Sequence, residues 1–247
     1  MTTSLGIDVG GSGIKGALVD IDTGVLTTDR IRIRTPDPAT PAAVAASIAE
    51  VAAATGWSVS RFGCTLPAVV ADGIVRTAAN IHSSWIDIDG CALLEAAVGA
   101  TVVLLNDADA AGFAEMRFGA GRDEPGVVLL LTFGTGICSS VFSRGALVPN
   151  TELGHMVIDG VEAEVTASAK AQEDEALTFV EWSTRVNRFI AAAETILWPD
   201  LIIFGGGISK EYSQYGDLLE SRARIVPATF RNEAGIIGAA LATQEAT

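Results

Sequence analysis

The stretch IDVGGSGIKGALVD, residues 7–20, decides the fold, because a glycine-rich run with one lysine follows an apolar strand. Its glycines satisfy the G-x-G-x-x-G spacing of dinucleotide sites, which requires a helix to begin at the glycines. The residues after the run alternate with period two and reach a turn at 22–24, so they predict a second strand instead. The stretch therefore predicts a glycine hairpin, with Asp8 just before its tip and Lys15 just after it.

The composition indicates a soluble, cytoplasmic protein with a sizeable core. Apolar residues make up 49% of the 247 residues and charged residues 19%, yet no apolar run is long enough to span a membrane. The N-terminal residues show no signal-peptide pattern. The net charge of −14 argues against nucleic acid as a partner, because binding to a phosphate backbone depends on clustered basic side chains.

The unit of strand, glycine hairpin and strand occurs twice, at 5–19 and at 128–142. We interpret this repetition as two related α/β lobes that face one another across a cleft. We expect residues 1–107 and a C-terminal helix at 235–247 to form the smaller lobe. Residues 108–234 are expected to form the larger one.

An Asn-Asp pair follows the buried strand predicted at 101–105, where α/β sheets present ligands. Asp107 is a candidate catalytic base, since phosphoryl transfer to an alcohol needs a carboxylate that accepts the hydroxyl proton. The alternative is that the pair only caps the helix that follows.

Two further glycine turns are candidates for phosphate binding, because glycine lets backbone N–H groups approach phosphate oxygens and threonine adds a hydroxyl donor. Ordinary tight turns remain the alternative for both. The residues concerned are Thr132, Gly134, Thr135 and Gly136 in the second hairpin, and Gly205, Gly206 and Gly207 after a later strand.

Polar residues in TELGHMVI and AEVTAS are candidates for binding a polyhydroxylated ligand. They are Glu152, His155 and Glu164. A solvated acidic face is the alternative for Glu164, and a structural role is the alternative for the histidine. A structural zinc site is not expected, because the three cysteines are widely separated. Arg30, Arg32 and Arg34 share one strand face, which is either solvated or helps to hold a polyanion.

In their order along the chain, these motifs closely resemble those of the ROK family of sugar kinases. The matching stretches are IDVGGSGIKG, RTAANIHSSW, LNDADAAG, LLLTFGTGI, PNTELGH, LWPDL and FGGGIS. The resemblance covers essentially the whole chain and is strongest to the polyphosphate/ATP glucokinases. It implies a two-lobed actin-like ATPase fold of the RNase H-like, hexokinase type, with a central cleft, and a homodimer. It also implies magnesium-dependent transfer of a phosphoryl group from polyphosphate, ATP or both to the 6-hydroxyl of glucose or a related hexose.

The resemblance also implies a role for each matching residue. Asp107 would be the general base, and Asp8 would help to position magnesium through water. The sugar would be bound by Asn80, Asn106, Asp107, Glu152, His155 and Glu164. The donor phosphates would be held by Asp8, Gly10, Gly11, Ser12, Lys15, Thr132, Gly134, Thr135 and Gly136, and Gly205, Gly206 and Gly207 would border the nucleoside region.

Two positions depart from the family pattern. Ala68 and Cys138 stand where the family usually has glycine, so each side chain intrudes where backbone normally approaches closely. The strongly acidic chain leaves the phosphoryl donor open, because binding a long polyanion with few cations is electrostatically costly. A sugar-responsive regulator and a sugar-binding protein without turnover are the alternative functions. The sequence does not decide among glucose, mannose and glucosamine.

Overall fold

A computed structural model of the chain describes residues 2–56, 58 and 60–245. Within that part the chain forms fifteen strands and eight α-helices. The strands are β1 (Thr3–Gly10), β2 (Gly13–Asp20), β3 (Val25–Leu26), β4 (Ile31–Ile33), β5 (Arg61–Leu66), β6 (Val70–Ala71), β7 (Ile74–Val75), β8 (Thr101–Asn106), β9 (Val127–Phe133), β10 (Ile137–Ser143), β11 (Ala146–Val148), β12 (Val157–Ile158), β13 (Val161–Glu162), β14 (Leu201–Gly206) and β15 (Arg224–Pro227). The helices are α1 (Pro41–Ala54), α2 (Gly90–Val98), α3 (Asp107–Phe118), α4 (Ala163–Ala167), α5 (Ala169–Asp174), α6 (Phe179–Leu197), α7 (Tyr212–Tyr215) and α8 (Ala234–Glu245).

The chain divides into two compact units. The first consists of Met1–Ala114 and Glu233–Thr247, and the second of Glu115–Asn232. The unit boundary falls inside α3, a few residues after the domain boundary expected at residue 107. The domain assignment made from the sequence stays a prediction. Among the described residues, no helix is both long enough and apolar enough to cross a membrane.

The first unit is built on a six-stranded sheet in the order β3-β2-β1-β5-β8, with β4 also paired to β2. The β1–β2 pair is antiparallel, whereas β1, β5 and β8 run parallel. Leu5, Ile7 and Val9 of the central strand β1 share one face and are fully buried, and Ser4 and Gly6 on the opposite face are buried as well. This is the pattern of a strand that is covered on both sides.

Helix α8 packs directly on β1 and β5, and glycines make this close approach possible. A Cβ added at Gly6 would lie 1.9 Å from the carbonyl oxygen of Ile236, and one added at Gly63 would lie 1.7 Å from that of Ala239. Both distances are far below van der Waals contact, so a side chain at either position would displace the helix. The helix turns Ile236, Ile237 and Ala240 inward, and all three are fully buried.

The second unit is built on a five-stranded sheet in the order β11-β10-β9-β14-β15. Helix α6 begins at a capping box made by Thr178 and Glu181, and it ends at Trp198, which adopts a left-handed conformation before a proline. Its buried face packs on an aromatic core in which Phe133 and Phe204 stack with ring centroids 4.3 Å apart.

Both strand–hairpin–strand units predicted from the sequence are confirmed, as β1–β2 and as β9–β10. The glycines of FGGGIS lead from β14 into short helical turns. The structure has a 3-10 helix at Gly207–Glu211, followed by the single turn of α7. Gly206, which precedes the 3-10 helix, has a φ of +88°, a backbone conformation that favours glycine.

Candidate functional site

The first glycine hairpin carries a charged pair at its base. Lys15 Nζ donates to Asp8 Oδ2 over 3.1 Å, and Thr65 Oγ1 donates to Asp8 Oδ1 over 3.1 Å. Thr65 Oγ1 also accepts a hydrogen bond from the N–H of Val9. Each oxygen of the Asp8 carboxylate therefore has a hydrogen-bond donor, which fixes the orientation of the carboxylate beneath the hairpin.

Residues after β4 hold the tip of this hairpin. Thr35 Oγ1 donates to the carbonyl oxygen of Gly10 over 2.6 Å, and Arg32 Nη2 donates to that of Ser12 over 3.2 Å. At Gly11 a Cβ would have no neighbour within 4 Å, so the backbone there is open to a ligand. The carbonyls of the tip are thus restrained while its outer surface is accessible.

A cavity of about 580 Å³ lies beside this hairpin, within the first unit. Gly10, Gly11 and Ser12 line it together with Asn80. Three of the residues expected to hold donor phosphates and one expected to bind sugar therefore share a single cavity. Arg34 and Asp37 supply charged side chains to the same cavity.

The Asn106–Asp107 pair lies where β8 leads into α3. Asn106 Oδ1 accepts from the N–H groups of Ala108 and Asp109, so Asn106 caps the helix, and its Nδ2 donates to the carbonyl oxygen of Ala68. Asp107 is the first residue of α3 and is half-buried, and its Oδ1 accepts from the N–H of Ala108 over 2.9 Å. Asn106 is therefore the main cap of α3. Capping alone does not account for Asp107, which stays a candidate catalytic base.

In the second unit, the other two glycine turns lie side by side. β14 pairs with β9 in a register that places Gly205 opposite Thr132 and Gly206 opposite Phe133. A Cβ at Gly206 would lie 2.2 Å from the carbonyl oxygen of Phe133, so only glycine fits there. The second hairpin is further held by the N–H of Lys170, which donates to the carbonyl oxygen of Gly134.

Glu152, His155 and Glu164 also come together in the second unit. His155 Nε2 lies 3.9 Å from Glu152 Oε2, and His155 Nδ1 lies 3.7 Å from Glu164 Oε1. Glu164 Oε2 accepts from the N–H of Ile137, at the foot of the second hairpin. The candidate sugar-binding residues and the candidate phosphate hairpin of this unit are therefore connected by one carboxylate.

The loop that carries Glu152 is attached to β10 through Ser139. Ser139 Oγ donates to the carbonyl oxygen of Thr151 over 2.7 Å and accepts from the N–H of Leu153 over 3.0 Å. Gly154 packs on the same strand, because a Cβ there would lie 2.1 Å from the carbonyl oxygen of Ile137. The position of Glu152 is therefore set by main-chain contacts with the strand that follows the hairpin.

The electrostatics of this cluster raise two pKa values. The pKa of His155 is raised chiefly by its 3.1 Å hydrogen bond to Glu162, with smaller contributions from the charges of Glu164, Glu162 and Glu152. The pKa of Glu152 is raised by burial and by Glu164, against the opposing effect of His155. The cluster therefore favours a protonated imidazole among carboxylates.

Two residues of these networks were missed at the sequence level. Thr65 orients Asp8, and Glu162 is the hydrogen-bond partner of His155. Thr65 reaches Asp8 because β5 pairs in parallel with β1. His155, Glu162 and Glu164 also have ligand atoms within 4.8 Å of one another, so these three side chains could hold a metal ion.

Comparisons with known proteins identify the family of this chain. The family model of the ROK family matches residues 4–168. A protein named polyphosphate glucokinase from Mycobacterium tuberculosis is 52% identical over 239 residues, which cover 96% of this chain and 90% of the relative.

Two solved structures extend the comparison to the fold. The inorganic polyphosphate/ATP-glucomannokinase from Arthrobacter sp. strain KM superposes with a TM-score of 0.94 at 46% identity, covering 99% of this chain and 100% of that one. A ROK family glucokinase from Streptomyces griseus, solved in complex with glucose and AMPPNP, has a TM-score of 0.85 at 24% identity, with 98% and 100% coverage. The predicted actin-like ATPase fold is confirmed by these matches. The chain belongs to the ROK family.

Proposed function

We propose that this protein is a sugar kinase that transfers a phosphoryl group from polyphosphate, ATP or both to the 6-hydroxyl of glucose. The observation that carries the proposal is the 52% identity, over nearly the whole chain, to a protein named polyphosphate glucokinase. The two restrained glycine hairpins and the polar clusters described above supply the groups that such a reaction requires.

On the donor side, phosphoryl transfer depends on positioning and on electrostatic stabilisation of the phosphate oxygens. The first hairpin offers the backbone of Gly10, Gly11 and Ser12, with the ammonium of Lys15 at its base. The second hairpin offers backbone N–H groups and the hydroxyls of Thr132 and Thr135, and the glycines at the end of β14 border it. We assign phosphate binding to both hairpins.

On the acceptor side, we assign Asp107 as the general base. A half-buried carboxylate at the start of a helix and at the end of a parallel strand can accept the proton of the 6-hydroxyl as that oxygen attacks phosphorus. Asn80 and Asn106 are assigned to the sugar, since one N–H of the Asn106 amide is not required by its bond to Ala68. Glu152, His155 and Glu164 complete the assigned sugar-binding set.

Magnesium is the metal that we assign to the reaction. Mg²⁺ is usually held in such enzymes by one or two carboxylates, substrate phosphates and water. Asp8 fits this requirement, because Thr65 and Lys15 orient its carboxylate while each oxygen keeps a further lone pair. When bound, the ion would neutralise charge on the phosphate oxygens. The resemblance to the ROK kinases also implies a homodimer that functions in the cytoplasm.

The proposal is tested by the identity of the product. The purified full-length protein is incubated with magnesium and with polyphosphate or ATP, together with glucose or 6-deoxyglucose. We expect glucose 6-phosphate with at least one donor and no sugar phosphate from 6-deoxyglucose, which lacks the accepting hydroxyl. Donor hydrolysis without a sugar phosphate, or an equal yield of sugar phosphate from 6-deoxyglucose, would contradict the proposed reaction.

A further inference from the structure

One row of charged side chains crosses the sheet of the first unit beneath the hairpin. The strand registers place Asp8 opposite Lys15 and Lys15 opposite Arg32. Directly opposite residues of antiparallel strands point to the same face of a sheet, so the three side chains share one face. Arg32 therefore belongs to the same row as the charged pair at the base of the hairpin.

The guanidinium of Arg32 lies against the hairpin tip. Besides its hydrogen bond to the carbonyl oxygen of Ser12, its Nε would lie only 2.7 Å from a Cβ at Gly13. Arg34 follows two residues later and lines the 580 Å³ cavity together with Gly10, Gly11 and Ser12. One arginine thus packs on the glycine tip, and the next lines the space in front of it.

The two arginines differ from Lys15 in their charge partners. Lys15 is neutralised by Asp8, whereas no ion pair between described residues involves Arg32 or Arg34. Asp37 is the one carboxylate among the described residues that line the cavity. In a chain with a net charge of −14, two exposed and unneutralised guanidinium groups beside a phosphate-type hairpin are a local exception.

We propose that Arg32 and Arg34 form a subsite for the phosphate chain of inorganic polyphosphate, beyond the phosphoryl group that is transferred. This inference rests on the proposed function and identifies part of the donor site. Guanidinium groups bind phosphate oxygens through two parallel hydrogen bonds, and they keep their charge at every relevant pH. Two such groups, two residues apart in one extended segment, match a donor whose charged units repeat along a chain.

The subsite favours polyphosphate over ATP for a physical reason. ATP has only two phosphates beyond the transferred one and continues into a nucleoside, whereas polyphosphate continues as a polyanion. Each protein cation that binds a long polyanion releases counterions from it. The affinity for polyphosphate therefore depends more steeply than that for ATP on the number of protein cations and on the salt concentration. The positive charges of Arg32 and Arg34 therefore reduce, at this site, the repulsion between polyphosphate and the negatively charged protein.

The test compares donors in charge-removing variants of the full-length protein. R32Q and R34Q each remove one guanidinium, and R30Q is the matched control. Arg30 is an exposed arginine of the same segment that neither lines the cavity nor bonds to the hairpin in the described contacts. Apparent KM values are measured for long-chain polyphosphate, ATP and glucose, and direct polyphosphate binding is measured by calorimetry at two salt concentrations.

We expect R32Q and R34Q each to raise the KM and Kd for polyphosphate about tenfold, as is typical for loss of a hydrogen bond to a charged group. The KM values for ATP and glucose should change less than about threefold, and the salt dependence of polyphosphate binding should become shallower. R30Q should behave like the unmodified protein. Because Arg34 makes no described contact with the hairpin, R34Q retains the test even if R32Q disturbs folding.

Three results would overturn the inference. They are unchanged polyphosphate binding in both variants, an equal loss for ATP and polyphosphate, and an R30Q protein as impaired as the other two. Failure of the proposed function is distinguishable, because the unmodified protein would then form no glucose 6-phosphate with either donor. If the unmodified protein uses ATP but neither uses nor binds polyphosphate, the proposed subsite is wrong while the proposed kinase activity stands.

Discussion

The two glycine hairpins are built on the same β-strand pattern but are restrained by different chemistry. Around the first hairpin the restraints include charged groups, the Asp8–Lys15 pair at its base and Arg32 at its tip, beside the hydroxyl of Thr35. Around the second, the tip is held by main-chain contacts, from the N–H of Lys170 and from the backbone of β14. The tip of the first hairpin is therefore bonded to a charged side chain, whereas the carbonyl oxygen of Gly134 in the second tip is bonded to a backbone N–H.

The networks behind the hairpins differ in the same way. Behind the first, a threonine hydroxyl orients a single carboxylate that suits a magnesium ion. Behind the second, Glu164 connects the strand after the hairpin to His155, and Ser139 holds the loop that carries Glu152. Under the proposed function, the first unit would hold the metal-positioning Asp8 together with the acceptor-side residues Asn80, Asn106 and Asp107. The second unit would combine a phosphate turn with Glu152, His155 and Glu164.

Removing one supporting hydroxyl from each unit should separate the proposed role of Asp8 from that of Glu152. In T65V, Asp8 loses a hydrogen bond and the N–H of Val9 loses its acceptor, which should cost about 1–3 kcal/mol of stability. The magnesium concentration for half-maximal activity should rise about tenfold or more, as is common when a residue that orients a metal ligand is removed. In S139A, the loop before Glu152 is loosened instead, so the KM for glucose should rise severalfold.

Steady-state kinetics across magnesium, donor and glucose concentrations, with thermal unfolding, provide the measurement. Each variant serves as the control for the other, since both remove one buried hydroxyl that accepts from a main-chain N–H. The comparison breaks down if T65V changes the glucose KM as much as the magnesium requirement, or if S139A alters the magnesium requirement.

A smaller effect is expected from the partner of His155. The folded-state pKa of His155 is raised, chiefly by the hydrogen bond to Glu162, so E162Q should lower it towards the ordinary histidine value. Because the raised pKa belongs to the folded state, the stabilisation is fully present below the unfolded pKa of about 6.5 and is lost as pH rises through the folded value.

Histidine proton NMR titration measures this change directly, and H82N assigns the two imidazole signals. The stability difference between E162Q and the unmodified protein should be largest under acidic conditions and should shrink at alkaline pH. A His155 pKa that stays the same or rises in E162Q would show that Glu162 is not the main cause of the shift.

Local patterns were sufficient to predict the hairpins, because a strand, a glycine turn and a returning strand are all encoded within about twenty residues. Alternation also predicted one strand face for Arg30, Arg32 and Arg34; all three are exposed, and only Arg32 lies within β4. The alternation left open whether that face was solvated or held a polyanion. The sequence did not reveal that Arg32 lies opposite Lys15, because this register is set by the pairing of β2 with β4.

Contacts between residues far apart in the chain could not be predicted from local sequence patterns. Thr65 and Asp8 are 57 residues apart, and their hydrogen bond exists because β5 pairs in parallel with β1. Glu162 was missed for a related reason, since the short β12–β13 hairpin brings it back opposite Val157 and next to His155. The Asn106–Asp107 pair shows a third limit. Spacing alone does not reveal which of two adjacent polar residues caps the helix.

The most direct test of the central claim is the rate of glucose phosphorylation by D107N, measured beside glucose binding. The substitution keeps the size and hydrogen-bonding ability of the side chain but removes its capacity to accept a proton. We expect kcat to fall by about two to four orders of magnitude with every donor, while the Kd for glucose changes little. D123N, at an exposed position, is the control. A D107N protein that retains near-normal kcat would contradict the account.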